Sequence, residues 1–216
     1  MTPRSRSDVG KRAFDIVMAC SALIVLSPLM VAIALALRWR QGPPVLYRQE
    51  RPGLNGKTFT MYKFRTMRNE EVDAEGNELE PRDRTTPLGL RLRATSLDEL
   101  PELLNVVNGD MSLVGPRPLL VRYLPRYSRK QARRHEVRPG ITGLAQVSGR
   151  NALTWDEKFA LDVRYVDEHD MRMDLDILFR TMRTVITREG VVHSEDDYMP
   201  EFRGSEAPDG PSSDDR

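Results

Sequence analysis

Between Asp15 and Arg38 the chain carries 22 residues without a charge, IVMACSALIVLSPLMVAIALAL, and Ser27-Pro28 sits near the middle. The run constrains the fold because it is long enough to span a bilayer while its flanks argue against spanning. As a helix it reaches about 33 Å, against a hydrocarbon core of about 30 Å. Arg4, Arg6, Lys11 and Arg12 precede it, and Arg38, Arg40, Arg48 and Arg51 follow. The positive-inside rule places both ends in the cytoplasm, which a straight span does not satisfy. Pro28 has no N–H, so the Ile24 carbonyl loses its partner and a kink is expected there. The Ser27 hydroxyl can re-satisfy a backbone group freed at such a break. The expectation is a re-entrant helix-break-helix over 13–40, each half about 16 Å long, preferred over a single span. A cleaved signal peptide is disfavoured, since no small-x-small site ends the run.

The remainder fits one compact domain over 41–200, preceded by a basic arm (1–12) and followed by an acidic tail (201–216) read as disordered. The net charge of +1 hides segregation: residues 38–68 hold eight Lys/Arg against Glu50, and 122–138 hold seven against Glu136. By contrast, 69–80 holds six acids and no base. Basic blocks beside an apolar anchor suit anionic lipid or a phosphorylated substrate; the plainer reading is a solvated face. Cys20, the single cysteine, lies in the apolar run, which excludes a disulfide framework or a cysteine zinc site.

VLYRQER and KTFTMYKFRTM flank PGLNG and predict a β-hairpin over 45–67. The acidic stretch 69–87 reads as a surface loop. Leu100, Leu103, Leu104 and Val107 recur at helical spacing from Leu97, and Asn108-Gly109 ends the pattern. LVGPRPLLV (113–121) reads as a turn, followed by a short basic helix to Arg134, and 138–151 as a glycine-rich loop. The segment 155–187 returns to helix, with Leu175, Leu178, Met182 and Val185 on one face. The fold class is α+β and helix-rich: a broken membrane helix, then a domain with a β-hairpin and amphipathic interfacial helices.

Gly56-Lys57-Thr58 is not a P-loop, because Arg51 occupies the position of the first glycine and a strand pattern follows. His135, His169 and His193 are too scattered for a metal motif. The strongest chemical signal is TSLDELPELLNVVNGD (95–110). Ser96-x-x-Glu99 has the form of a capping box, and acids suit the first turn of a helix. Alternatively, Asp98 is a nucleophile for an acyl-phosphate and Glu99 holds Mg²⁺ together with phosphate oxygens. Arg117 sits on the rigid turn Gly115-Pro116-Arg117-Pro118, Arg93 lies five residues before Asp98, and Lys63 and Arg65 share a strand face. Each alone suits a surface ion pair or lipid contact; together they describe a diphosphate site at a membrane.

KRAFDIV…SP…YRQERPGLNGKTFTMYKFRTM, LRATSLDELPELLNVVNGDMSLVGPRPLL and RPGITGLAQVSGRN together resemble the bacterial monotopic phosphoglycosyl transferases, the undecaprenyl-phosphate sugar phosphotransferases. The resemblance runs from about Lys11 to Gly190. GRNALTWDEKFALDVRYVDEH makes the chain similar to the small, catalytic-core-only members, such as the enzyme initiating N-linked glycosylation in Campylobacter. The resemblance implies a membrane helix broken at Ser27-Pro28 and a catalytic Asp98-Glu99 dyad. It implies a UDP-sugar donor, a polyprenyl phosphate acceptor, release of UMP, and a phosphosugar-aspartyl intermediate on Asp98. Glu99 is then the Mg²⁺ ligand, and Arg93 and Arg117 lie near the diphosphate. Beside what the resemblance implies, Lys63, Arg65 and Arg138 are expected as further substrate contacts. Asp162 matches a recurrent acid without an assigned task. The expected location is the cytoplasmic face of the bacterial inner membrane, beside anionic lipids. The small members favour an N-acetylated amino sugar, with galactose and glucose as alternatives. Two other readings compete: a non-enzymatic tethered module and a phosphohydrolase using Asp98. Nucleic acid is a poor partner, because Trp39 and Trp155 are not interleaved with the basic blocks.

Overall fold

The computed structural model describes residues 4–68, 81–149, 152–187 and 201–204. The first three residues, the acidic run 69–80 and the tail from 205 lie outside them, so the expectations for those parts do too. Helix α1 spans Arg4–Gln41 without interruption, Pro28 included. The expected break at Ser27-Pro28 lies inside this one helical segment, which carries Pro28 as an internal proline. Ser27 Oγ donates to Ile24 O at 2.8 Å, the carbonyl that Pro28 deprives of a partner, which keeps the backbone satisfied through the proline.

One face of α1 docks on the domain, and the anchoring contacts are polar at its start and apolar at its end. Arg12 Nη1 and Nη2 donate to Val106 O (2.7 Å) and Val107 O (3.1 Å). Those carbonyls lie in the last turn of α4 (Glu102–Asn108), where helical donors run out. Buried Asp15 accepts from Ser112 Oγ at 2.8 Å and from Leu113 N at 3.2 Å. Lys11 Nζ reaches Asp174 Oδ2 at 2.6 Å. Near the other end, Ile33 and Leu37 pack with Phe64 and Leu92. The rest of the helix circumference stays open: Ile24 is 74 % and Val25 75 % exposed.

The hairpin forms as expected from β1 (Leu46–Pro52) and β2 (Thr58–Phe64), antiparallel with Leu46 opposite Phe64. A second sheet was not legible: β3 (Ser112–Val114) pairs in parallel with β4 (Gly140–Thr142), segments read as turn and loop. A side chain at Gly115 would meet Arg138 O at 2.4 Å, and one at Gly140 would meet Gly115 N at 2.1 Å. These glycines allow the two segments to close on each other.

Part of the expected 69–87 loop is helical, as α2 (Pro81–Arg84), and α3 (Pro87–Ala94) follows directly. Thr86 caps α3 by accepting from Gly89 N at 3.0 Å, and Pro87 suits the first turn. Leu97–Glu99 is a 3-10 turn, and α4 begins only after Pro101, a residue that resists continuing a preceding helix. Gly109, at φ 95°, ends α4 as expected. The short basic segment resolves into 3-10 turns at Val121–Arg126 and Arg133–Glu136 around α5 (Arg129–Ala132).

After α6 (Leu144–Ser148), the expected 155–187 helix is two: α7 (Trp155–Glu168) and α8 (Met171–Thr187). Asp170 Oδ1 caps α8, accepting from Met173 N at 2.7 Å. Leu178 packs toward the core, but Leu175, Met182 and Val185 face outward, as does Phe179 at 69 % exposure. That stripe is not a core face. At the tail, Phe202 is 2 % exposed among Tyr123, Tyr127, Trp155 and Phe159, so residue 202 is packed rather than disordered.

Removing the Arg12 guanidinium takes a charged donor from Val107 O and from Val106 O, the latter keeping Gly109 N at 3.1 Å. Arg12→Ala is expected to lower stability in detergent by about 1–3 kcal/mol. An unfolding midpoint equal to that of the parent chain would show that this joint contributes nothing.

Candidate active site

The 3-10 turn Leu97–Glu99 presents two carboxyl groups into a ring of cations. Ser96 takes φ 55° and caps nothing, so the capping-box reading of Ser96 and Glu99 fails. Glu99 Oε1 instead accepts from Lys63 Nζ at 2.6 Å and from Arg117 Nη2 at 2.5 Å. Burial alone would push the Glu99 carboxyl up, but Arg117 and Lys63 outweigh it and hold it far below the usual carboxylate range. In return, the Glu99 carboxylate raises Arg117 above its ordinary value. Glu99 is thus an anion throughout the neutral range.

Asp98 is in a different condition. It is 8 % exposed, and among the described residues no hydrogen bond or ion pair engages its carboxyl. Burial, then Glu99, raises its pKa; Lys63, Arg93 and Arg117 pull the other way without offsetting them. A carboxylate that is desolvated, unbonded and faced by cations is a more reactive oxygen nucleophile than a hydrated one.

The other basic residues divide. Lys63 belongs to the site through its place on β2. Arg93 acts on Asp98 through its charge, while its Nε is fixed on Thr66 Oγ1 at 2.9 Å. Arg65 does not join them: β2 ends at Phe64, and Arg65 Nη2 turns back to Gln41 O (2.6 Å) and Gly42 O (2.7 Å). The expectation that Lys63 and Arg65 share a working face is corrected. Arg138 Nε bonds Gly109 O at 2.9 Å, holding the end of α4 rather than touching the dyad.

One acid at the site went unnoticed in the sequence. Glu102, 2 % exposed on α4, places Oε1 3.2 Å from Lys63 Nζ, within ion-pair range but without hydrogen-bond geometry. Its position three residues after Glu99 was the available signal. Asn105 registers α4 on the hairpin, donating from Nδ2 to Thr60 O at 2.7 Å and accepting from Tyr62 N at 3.1 Å. Lys63 is therefore shared between two acids.

Glu99 is the residue that could hold a divalent cation such as Mg²⁺. Both cations bind Glu99 through Oε1, and among the described residues nothing engages Oε2, which leaves a hard, ionised oxygen for a cation. Among the described residues no group of three or more acids, histidines or cysteines forms a cage. Such an ion would complete its shell with substrate oxygens and water, as Mg²⁺ usually does.

Burial pushes the Glu102 carboxyl up to about 7 from 4.5, with Lys63 opposing and Glu99 adding to the rise. The folded chain then holds a proton between those values that the unfolded chain releases, so stability falls as pH rises through the window. Glu102→Gln, which mimics the protonated form, is expected to be more stable than the parent by about 1–3 kcal/mol near pH ~8. The two should converge near pH ~4. Denaturant titrations at both pH values check this, and a variant less stable at the higher pH would reverse the assigned sign.

Comparison with known proteins assigns the chain to a family. The family model described as bacterial sugar transferase matches residues 6–188. The uncharacterised sugar transferase EpsL of Bacillus subtilis is 51 % identical over 195 residues, covering 90 % of this chain and 96 % of its own length. The UDP-glucose:undecaprenyl-phosphate glucose-1-phosphate transferase of Caulobacter vibrioides is 39 % identical, over 87 % of this chain and 73 % of its own length. The undecaprenyl-phosphate galactose phosphotransferase of Salmonella typhimurium is 41 % identical over 83 % of this chain, which spans 41 % of that longer protein. With a family match over most of its length and a relative sharing half of its residues, the chain belongs to the bacterial sugar transferase family and is a phosphoglycosyl transferase.

Proposed function

We propose that the protein transfers a sugar 1-phosphate from a UDP-sugar to a polyprenyl phosphate through a covalent intermediate on Asp98. The observation that carries this reading is the contrast within one turn: Glu99 is engaged by two cations, whereas Asp98 beside it is desolvated and unbonded. An Asp98 oxygen attacks the β-phosphorus of the UDP-sugar; the bond to the bridging oxygen breaks and UMP leaves. An oxygen of the polyprenyl phosphate then attacks the same phosphorus, the aspartyl bond breaks, and a polyprenyl diphosphate sugar is released. Arg117 and Lys63 sit where they can bind the diphosphate oxygens, and Arg93 adds positive charge beside Asp98. Glu99, with the phosphate oxygens, would hold Mg²⁺, which supplies neutralisation of the charge on the leaving UMP. The relatives act, by name, on glucose and galactose donors; the small-member resemblance adds N-acetylated amino sugars.

The membrane part of the proposal rests on docking at both ends of α1. Arg12 and Asp15 near one end, and Ile33 and Leu37 near the other, contact the same domain. A helix with its two ends on opposite sides of a bilayer would separate those contacts by about 30 Å of hydrocarbon. We therefore place α1 as a re-entrant, monotopic element whose open face, including Ile24 and Val25, lies in lipid. The outward stripe of α8 rests at the interface, and the basic flanks lie on the anionic cytoplasmic leaflet of the inner membrane.

A panel of UDP-glucose, UDP-galactose and N-acetylated UDP-amino sugars, with and without undecaprenyl phosphate, should give UMP release with Mg²⁺ present. Asp98→Asn should reduce it by about 10⁴-fold or more, to background. Substantial turnover by that variant would exclude the covalent route. In inverted vesicles, cysteines introduced at Gly10 and Gly42 into a Cys20→Ala chain should both label with an impermeant reagent. Labelling of one end alone would indicate a single span.

A further inference from the structure

The turn that carries Arg117 is held in an unusual way. Pro116 and Pro118 have no N–H, so the turn is fixed chiefly by what donates to its carbonyls. All three are taken by donors from elsewhere in the chain. Gly140 N donates to Pro116 O at 3.0 Å, Arg134 Nη2 to Arg117 O at 2.8 Å, and Arg51 Nη1 to Pro118 O at 3.3 Å. Arg134 is itself buried, and its guanidinium is clamped. Nε and Nη2 donate to Asp162 Oδ2 at 3.0 and 2.7 Å, and Nη1 to the Tyr127 hydroxyl at 3.3 Å. The rings of Tyr127 and Phe159 lie against it. Asp162, on α7, is also buried.

We infer that Asp162 and Arg134 are a positioning pair for Arg117: Asp162 orients Arg134, and Arg134 holds the Arg117 carbonyl so that the turn aims the Arg117 side chain at Glu99. The inference rests on the reading that Arg117 serves phosphoryl transfer. For stability alone, an apolar pair of similar volume often does as well as a buried ion pair. It could not donate a directed hydrogen bond to a proline-flanked carbonyl. A small displacement of the turn is enough to matter, since about 1 Å of misplacement can cost about a hundredfold in rate.

The test is a double-mutant cycle on UMP release by the full-length enzyme in detergent. Asp162→Asn alone is expected to lower kcat by about 10–100-fold. In an Arg117→Ala background it should lower kcat by less than about twofold, because the residue it serves is already gone. Equal fractional losses in both backgrounds would mean a general structural role, and an unchanged kcat in the parent background would mean no role; either overturns the inference. If Asp162→Asn does not fold, Arg134→Lys takes its place in the same cycle with the same expected pattern. It keeps the charge opposite Asp162 and loses the fork that reaches Arg117 O. Parent enzyme without UMP release would instead contradict the proposed function, before any variant is compared.

Discussion

One carboxylate oxygen, Glu99 Oε1, joins the three segments that make the site. Lys63 comes from β2, Glu99 from the turn ahead of α4, and Arg117 from the proline-flanked turn after β3. Taking Glu99 out of water is costly, and two cations at hydrogen-bond distance offset that cost only in this arrangement. The same grouping leaves Asp98, one residue away, with burial uncompensated. A nucleophile and an electrostatic anchor thus arise from adjacent, chemically similar residues because their neighbours differ. Glu102 sets a second acid beside Lys63, so the site holds three acids and three basic residues before any substrate arrives.

Helix α1 is built into this arrangement rather than appended to it. Arg12 closes the C-terminal end of α4, the helix that follows the dyad, and Asp15 bonds the start of β3, the strand that leads to the Arg117 turn. Lys11 reaches Asp174 on α8, and Asp174 Oδ1 accepts from the Tyr165 hydroxyl at 2.6 Å, whose oxygen also lies 3.0 Å from Val114 O. Polar contacts thus connect α1, α8 and the two segments bearing Asp98 and Arg117. On the proposed reading, this fixes the height of the dyad relative to the lipid phosphate.

Elements with local signatures were legible in the sequence. The hairpin alternates around PGLNG, the Asn108-Gly109 stop ends α4, and the residues of the dyad stood out by composition. What escaped depended on partners distant in sequence. The β3–β4 pairing joins three-residue segments with no periodicity of their own, and close glycine contacts make it possible. Ser96 and Glu99 had the spacing of a capping box, yet Pro101 delays the helix and Lys63 and Arg117 claim the carboxylate. Arg65 matched Lys63 in strand parity, but the strand ends between them. Phe202 sits in an acidic, Pro/Gly-containing tail whose composition outweighed a single aromatic residue, and its pocket is assembled from residues 40–80 positions earlier.

The central claim is a bond between Asp98 and the sugar phosphate. It is tested most directly by incubating the purified enzyme with its UDP-sugar and Mg²⁺ in the absence of polyprenyl phosphate, then measuring intact and peptide masses after an acid quench. The account predicts an added mass of one sugar phosphate on the peptide containing Asp98. That mass should be missing in Asp98→Asn and should disappear when polyprenyl phosphate is added. UMP release by the parent enzyme that occurs only with the acceptor present, with no adduct at any time, would contradict it.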